Sequence, residues 1–145
     1  MDVLIIEDDP GVRASLAEVL RDEGYGVLVA SDGQEALALL DREKLPGLIL
    51  LDLMMPNMSG VEFRAHQLSD ERLAKIPIIV ISARPDGEAR AKLLAADDFL
   101  AKPMSFEALI HVIQHRAVTT VTPMDERLRA HTLREAYDLL RQRGS

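Results

Sequence analysis

Five short apolar runs recur along the chain, and segments in which apolar residues return at helical spacing lie between them. The runs cover residues 3–6, 27–29, 48–51 and 76–81, with a weaker one at 99–101. Apolar residues within a run do not alternate with polar ones, which indicates strands buried on both faces, as in a parallel sheet. The order of strand then helix, repeated five times, predicts a doubly wound α/β fold with a five-stranded parallel sheet.

The helical segments have apolar faces and marked starting points. Three starts are indicated by side-chain oxygens that can accept from unpartnered backbone N–H groups, at Asp9, Ser31 and Ser59. The apolar faces are expected at Val12, Leu16, Val19 and Leu20, at Ala36, Leu37 and Leu40, at Val61, Ala65 and Leu68, at Leu93 and Leu94, and at Leu109, Val112 and Ile113.

The pattern changes after residue 115. Residues 118–122 are mostly β-branched and Pro123 follows them, so the preceding helix should end before this stretch. Apolar residues then return at helical spacing, at Ala130, Leu133, Ala136, Tyr137 and Leu140. We therefore expect a domain over residues 1–117, a linker over 118–124 and an appended helix over 125–143, which either caps the core, forms an interface or begins an output region.

Composition narrows the function classes. The 145 residues suit one domain with appendages, and the absence of cysteine excludes disulfides, thiolate zinc sites and cysteine nucleophiles. The net charge of −7 argues against direct nucleic acid binding, which requires a clustered positive face. The apolar run directly before Glu7 has only four residues, too few for a signal peptide or a membrane span, so we expect a cytoplasmic protein without membrane contact.

Polar and charged residues stand where the predicted strands end. In chain order they are Glu7, Asp8, Asp9, Asp52, Ser82 and Lys102. Ligands of open α/β sheets bind beyond the carboxyl ends of the strands, so these side chains are expected to converge. Converging carboxylates raise each other's pKa unless a cation holds them, and Mg²⁺, which takes one or two carboxylates and keeps its waters, suits this set better than Ca²⁺.

Asp52 is the candidate centre of the chemistry. A carboxylate can attack phosphorus to give an acyl phosphate when the charge developing on the phosphoryl oxygens is neutralised. Lys102 could pair with one of these oxygens, and the hydroxyl of Ser82 could donate a hydrogen bond to another.

Five motifs together resemble the receiver domain of bacterial two-component response regulators. They are IIEDDP at residues 5–10, LDLMMP at 51–56, SG at 59–60, ISA at 81–83 and AKP at 101–103. Each is weak alone, but the five in this order and spacing are specific. The similarity covers roughly residues 1–117 and implies a flavodoxin-like fold with strand order 2-1-3-4-5.

The resemblance implies a role for each matching residue of the acidic site. Asp52 matches the phosphoacceptor, and Glu7 and Asp8 match the acidic pair that binds Mg²⁺. The metal ligands are then Glu7, Asp8, Asp52 and the backbone carbonyl of Met54. The peptide bond after Lys102 is usually cis in this family.

The resemblance also implies how phosphate is held and sensed. Ser82, the backbone of Ala83 and Lys102 match the groups that contact the phosphoryl oxygens. Ser82 and Phe99 match the switch pair, in which the aromatic ring turns inward when the hydroxyl moves toward phosphate.

Two further positions are expected to tune how quickly phosphate is lost. Met54 and Arg84 match positions that flank the path of the hydrolytic water, and we expect the bulky, apolar Met54 to slow dephosphorylation. The chain departs from the commoner family pattern at Ala95, where glycine is frequent, and at Met104, where an aromatic residue often follows.

The leading interpretation is a signalling module rather than an enzyme, apart from autocatalysed uptake and loss of phosphoryl groups. A sensor histidine kinase or phosphotransfer protein would donate to Asp52. A protein target or a second copy would bind the face of the fourth and fifth helices, and possibly the appended helix.

One alternative is a metal-dependent phosphatase with an aspartyl nucleophile, which the chain order of the acids opposes. Another is an unphosphorylated interaction domain, which the complete residue set opposes.

Several other polar residues are expected to have structural roles. Asp9 should be a helix cap, and Asp97 and Asp98 should be solvated turn residues. His111 and His115 share a helical face at the spacing of a zinc pair, but no third ligand accompanies them.

Overall fold

In the part of the chain that the structure describes, five parallel strands, numbered in chain order, form one sheet in the order 2-1-3-4-5, as the family resemblance implies. The computed structural model describes residues 1–42, 44–55 and 57–117. Its strands are β1 (Asp2–Ile6), β2 (Gly26–Ala30), β3 (Leu48–Asp52), β4 (Ile78–Ser82) and β5 (Asp98–Ala101). Its helices are α1 (Pro10–Asp22), α2 (Gly33–Arg42), α3 (Gly60–Ser69), α4 (Glu71–Ala74), α5 (Gly87–Leu93) and α6 (Phe106–Ala117).

Two apolar clusters cover the two faces of the sheet. The cluster that contains Leu4, Ile49 and Val80 includes side chains of α2, α3 and α5. The other, around Ile5 and Leu50, includes side chains of α1 and α6. Successive strand residues point to opposite faces, and each face of the central strands is covered by helices. This explains why the apolar runs are continuous rather than alternating.

Two of the three predicted helix caps are confirmed. Asp9 and Ser59 accept hydrogen bonds from backbone N–H groups in the first turns of α1 and α3. The prediction for Ser31 is wrong, because α2 begins at Gly33 and Asp32 accepts from the N–H of Glu35 at 2.8 Å. The hydroxyl of Ser31 donates instead to the carboxylate of Glu35, at 2.6 Å.

The buried face of α3 differs from the prediction. Ala65 and Leu68 are only partly buried, whereas Arg64 and Gln67 lie in the interior with 2% and 0% exposure. Both polar side chains donate hydrogen bonds to backbone carbonyls of neighbouring elements. Burial is tolerated because these bonds replace the ones that water would have made.

The connection into β4 also differs from the prediction. The single turn α4, which the periodicity did not indicate, precedes the strand, and the strand starts at Ile78 rather than at residue 76. Asp97 is not a solvated turn residue: its Oδ2 accepts from the N–H of Ile78 at 2.8 Å, and its own N–H donates to the Ile78 carbonyl at 2.8 Å. Asp98 is likewise partly buried, as the first residue of β5.

The predicted linker at 118–124 and the predicted helix at 125–143 lie outside the described residues. They therefore stay predictions. Among the helices of the described residues, none has the length and apolar character needed to cross a bilayer.

Candidate functional site

The sheet topology brings the predicted acidic residues together at one edge. Glu7 and Asp8 follow β1, and Asp52 is the last residue of β3, which lies beside β1 in the sheet. One carboxylate oxygen from each of the three lies within 4.8 Å of the others. Glu7 and Asp52 are buried and Asp8 is exposed, so the cluster opens to solvent on the side of Asp8.

Lys102 provides positive charge inside this cluster. Its Nζ lies 2.7 Å from Glu7 Oε2 and 3.5 Å from Asp52 Oδ2. Burial alone would lower the pKa of the lysine, but the hydrogen bond to Glu7 and the charges of Asp52 and Glu7 raise it above its usual value. Lys102 therefore stays charged beside the two carboxylates. The bond between Lys102 and Pro103 is cis, as the resemblance implied.

Asp52 has a perturbed carboxyl group. Its pKa is raised to about 7, first by burial and then by the negative charge of Glu7. The N–H of Met54, which donates to Asp52 Oδ1 at 3.1 Å, and the charge of Lys102 both oppose this rise. An additional cation beside Asp52 would favour its ionised form.

The donor set fits a small divalent cation. Three carboxylates with oxygens within 4.8 Å form a hard oxygen-ligand cluster, and two of them are already buried. Mg²⁺ prefers this ligand chemistry and retains waters that an open edge can accommodate. Glu7, Asp8 and Asp52 are thus the residues that could hold it.

Arg13 is a residue of this site that the sequence reasoning missed. Its Nη1 donates to the backbone carbonyl of Glu7 at 2.9 Å and more weakly to that of Asp8 at 3.4 Å. These bonds hold the loop that carries both acids. The available signal was a basic residue in the first turn of a helix that directly follows an acidic loop.

Ser82, the last residue of β4, lies at the same edge as Asp52. It is buried, and its Oγ accepts from the backbone N–H of Arg84 at 3.1 Å. Gly87 lies directly against it, since a Cβ at this position would be 2.9 Å from Ser82 Cβ and 3.2 Å from Phe99 Cε2. The predicted switch pair, Ser82 and Phe99, therefore meets at the first residue of α5.

Met54 and Arg84, the predicted tuning residues, line one cavity of about 400 Å³ beside the acceptor loop. Met54 is 53% exposed, so its thioether does not fill the core beneath the loop. Arg84 is held by Asp86, with its Nε at 2.7 Å from Oδ1, and Arg90 binds the same carboxylate at 2.8 Å. A larger cavity of about 580 Å³ lies between α1 and the start of α6, and Lys102 and Ala83 are among the residues that line it.

Comparison with known proteins agrees with this geometry. The family model described as the response regulator receiver domain matches residues 3–114. The transcriptional regulatory protein PdtaR of Mycobacterium tuberculosis is 36% identical over 143 residues, which cover 92% of this chain and 69% of that protein.

Solved structures agree as well. The receiver domain of a signal transduction histidine kinase from Syntrophus aciditrophicus has a TM-score of 0.74 at 28% identity, covering 84% of this chain and 95% of that one. The receiver domain of the sensor histidine kinase PA1611 from Pseudomonas aeruginosa has a magnesium ion coordinated in its active site cleft. Its TM-score is 0.74 at 28% identity, covering 81% of this chain and 98% of that one. These matches do not favour the phosphatase alternative, and they show that this chain belongs to the receiver-domain family of two-component response regulators.

Proposed function

We propose that Asp52 accepts a phosphoryl group from a sensor histidine kinase or a phosphotransfer protein, in a reaction that depends on Mg²⁺, and that the modified domain changes how it binds a protein target in the cytoplasm. The observation that supports this most directly is the burial of Asp52 between an acidic pair and a charged lysine, with Lys102 Nζ at 3.5 Å from its Oδ2. A carboxylate in this setting can act as a nucleophile toward phosphorus. The positive charge of the lysine beside it can pair with the negative oxygens of a phosphoryl group.

The metal site we propose consists of Glu7, Asp8, Asp52 and the backbone carbonyl of Met54. Mg²⁺, when bound, would neutralise charge on the phosphoryl oxygens. Asp52 then attacks phosphorus: a new bond forms between its carboxylate oxygen and phosphorus, the bond from phosphorus to the donor's histidine nitrogen breaks, and that nitrogen keeps the electron pair.

The remaining residues of the site would hold the product. Lys102 moves its hydrogen bond from Glu7 to a phosphoryl oxygen, and the hydroxyl of Ser82 and the N–H of Ala83 donate to the other oxygens. Displacement of Ser82 toward phosphate would change the space available to Phe99, because both side chains lie beside the space where Gly87 lacks a Cβ. Phosphorylation thereby favours one of two arrangements of the pair, and this difference is what drives the switch.

Partners would meet the domain on two sides. The apolar cavity between α1 and α6 opens next to Lys102, which favours it as the place where the phosphoryl donor docks. The output face lies on α5, β5 and α6. The helices α5 and α6 are the fourth and fifth helices of the predicted pattern, and β5 is the strand between them. We propose no turnover beyond the domain's own uptake and loss of phosphate.

Incubation with acetyl phosphate and Mg²⁺, followed by intact mass measurement, tests the proposal. We expect the mass of one phosphoryl group on the full chain, no gain in EDTA and none for Asp52→Asn. Asp41→Asn, which changes an exposed acid of α2, is the matched control and should be phosphorylated normally. An unmodified wild-type chain, or a phosphorylated Asp52→Asn chain, would contradict the assignment and favour the unphosphorylated interaction domain.

A further inference from the structure

Two polar side chains of α3, which are not part of the acidic cluster, lie in the interior. Arg64 and Gln67 are 2% and 0% exposed, although arginine and glutamine are rarely buried to this extent. Arg64 Nη1 also donates to the amide oxygen of Gln67. The pair is therefore a connected polar unit in the interior. Directional hydrogen bonds from such a unit define the positions of its partners more narrowly than apolar contact does.

The partners of Arg64 are at the C-terminal end of α5. Its Nε donates to the carbonyl of Leu94 and its Nη2 to the carbonyl of Ala95, both at 3.3 Å. Gln67 Nε2 extends the network to α4 and the turn after it, with bonds to the carbonyls of Leu73 at 2.9 Å and Ile76 at 3.0 Å. One side-chain unit thus ties α3 to the end of one helix and to the segment that leads into β4.

The end of α5 needs this support because of its backbone conformation. Ala95 has a φ of 49°, in the left-handed region that glycine adopts without steric cost and alanine does not. Its N–H donates to the carbonyl of Lys92, and the next N–H, of Ala96, donates to that of Ala91, which is the Schellman pattern. Arg64 binds the carbonyl of the residue in this costly conformation.

The N-terminal end of α5 is held less firmly. The side chain of Asp86 accepts no hydrogen bond from a backbone N–H of the helix, and its carboxylate pairs instead with the partly exposed side chains of Arg84 and Arg90. Ion pairs in such positions contribute little to stability. The first residue of the helix, Gly87, lies so close to the switch pair that a Cβ there would be within 3.2 Å of both members.

We propose that α5 is a lever hinged at its C-terminal end, with Arg64 and Gln67 as the positioning residues that keep the hinge in place. The inference rests on the proposed phosphorylation of Asp52 and adds how the change at Ser82 and Phe99 is converted into movement. The start of α5 shifts with the switch pair while its end stays fixed. The helix therefore tilts, and the surface near Glu88 changes more than the surface near Lys92.

The test measures the two ends separately. The chain has no cysteine, so pairs of spin labels can be introduced at Glu18 with Glu88 and at Glu18 with Lys92. Glu18 is an exposed reference on α1, and the side chains of Glu88 and Lys92 are both well exposed near opposite ends of α5. Distances are measured in the full chain with Mg²⁺, before and after acetyl phosphate, and intact mass reports phosphorylation of the same samples.

In the wild-type background we expect the 18–88 distance to change by about 1–2 Å, the scale of helix shifts in switching proteins, and the 18–92 distance by less than half as much. In Arg64→Met the two distances should change by similar amounts, because the hinge is no longer held. Arg72→Met removes an exposed arginine of α4 and should retain the wild-type difference.

A further variant separates anchoring from stability. Ala95→Gly removes the strain at the end of α5, so in the Arg64→Met background it should recover stability and still give similar changes at both ends. This double variant also gives a folded sample if Arg64→Met alone unfolds. Recovery of the unequal changes would mean that Arg64 acts only through stability, and the lever would be wrong.

If phosphorylation changes the 18–88 and 18–92 distances of the wild-type chain by equal amounts, the lever is wrong and the proposed function is unaffected. Absence of the phosphoryl mass would overturn the proposed function, and the lever with it.

Discussion

Ionised Asp52 should destabilise the metal-free protein. Its pKa is raised from 3.8 to about 7 in the folded chain, and this difference corresponds to about 4 kcal/mol at about 1.4 kcal/mol per pH unit. Asp52→Asn removes the charge and keeps an oxygen that can accept from the N–H of Met54. We expect the variant to be more stable than wild type by about 2–4 kcal/mol at pH 8 in EDTA, since water entering at the open edge lowers the cost of the charge.

The gain should depend on pH in a defined direction. Below pH 3.8 the carboxyl group of Asp52 is protonated in both the folded and the unfolded chain. The neutral amide of the variant then gives no advantage in the free energy of unfolding over wild type. As pH rises from 3.8 to about 7, the unfolded chain releases its proton while the folded chain keeps it, so wild type loses stability relative to the variant. Above about 7 both states are ionised, and the difference stays constant.

Urea unfolding followed by far-UV circular dichroism measures this effect, since the chain has no tryptophan for fluorescence. The free energies of unfolding of the two proteins are compared at pH 5 and pH 8 in EDTA. Mg²⁺ at ten times its dissociation constant should then stabilise wild type by about 1.4 kcal/mol and the variant by less. A variant no more stable than wild type at pH 8, or a gain that is the same at both pH values, would refute the reasoning.

Three further predictions concern the loops around the site. Met54→Asn should shorten the phosphoryl half-life several-fold in intact mass time courses, because a polar side chain admits water. Met54→Leu should leave the half-life near the wild-type value, and an unchanged half-life in Met54→Asn would refute the idea. Gly60→Ala should lower the free energy of unfolding by about 1–3 kcal/mol in urea, since its Cβ would lie 3.0 Å from Leu53 Cα, which cannot move aside. Stability equal to wild type would contradict it. Gly87→Ala should slow phosphoryl uptake from acetyl phosphate by displacing Ser82, and an unaltered rate would show that this contact is unimportant.

The sequence was sufficient for the fold and for the positions of the acidic residues. Each strand is buried on both faces, so its apolar run is continuous, and the first polar residue after the run marks its carboxyl end. Glu7, Asp52 and Lys102 were identifiable because chain order and parallel topology together bring these ends to one edge. The burial that raises the pKa of Asp52 could not be read from the sequence, because it depends on side chains packed around it from other elements.

Two of the errors, the buried face of α3 and the placement of Asp97, share a cause, which is side chains that bond to distant backbone groups. Arg64 binds carbonyls 30 and 31 residues further along the chain, and Asp97 binds an N–H 19 residues before it. Backbone carbonyls and N–H groups are the same at every residue, so the sequence carries no sign of which one will be the partner. Polar residues of this kind are therefore assigned to the surface by periodicity alone.

The ion pair between Glu7 and Lys102 joins residues 95 positions apart in the chain. Glu7 is synthesised near the beginning and Lys102 only after all the strands, so the acidic loop has no lysine partner until the last strand has docked onto the sheet. Contacts of such long sequence separation form late in folding, because loop-closure entropy must be paid first. Before β5 has docked, Asp52 therefore lacks the positive charge that Lys102 places 3.5 Å from its Oδ2, and the site proposed here is assembled only with the last strand.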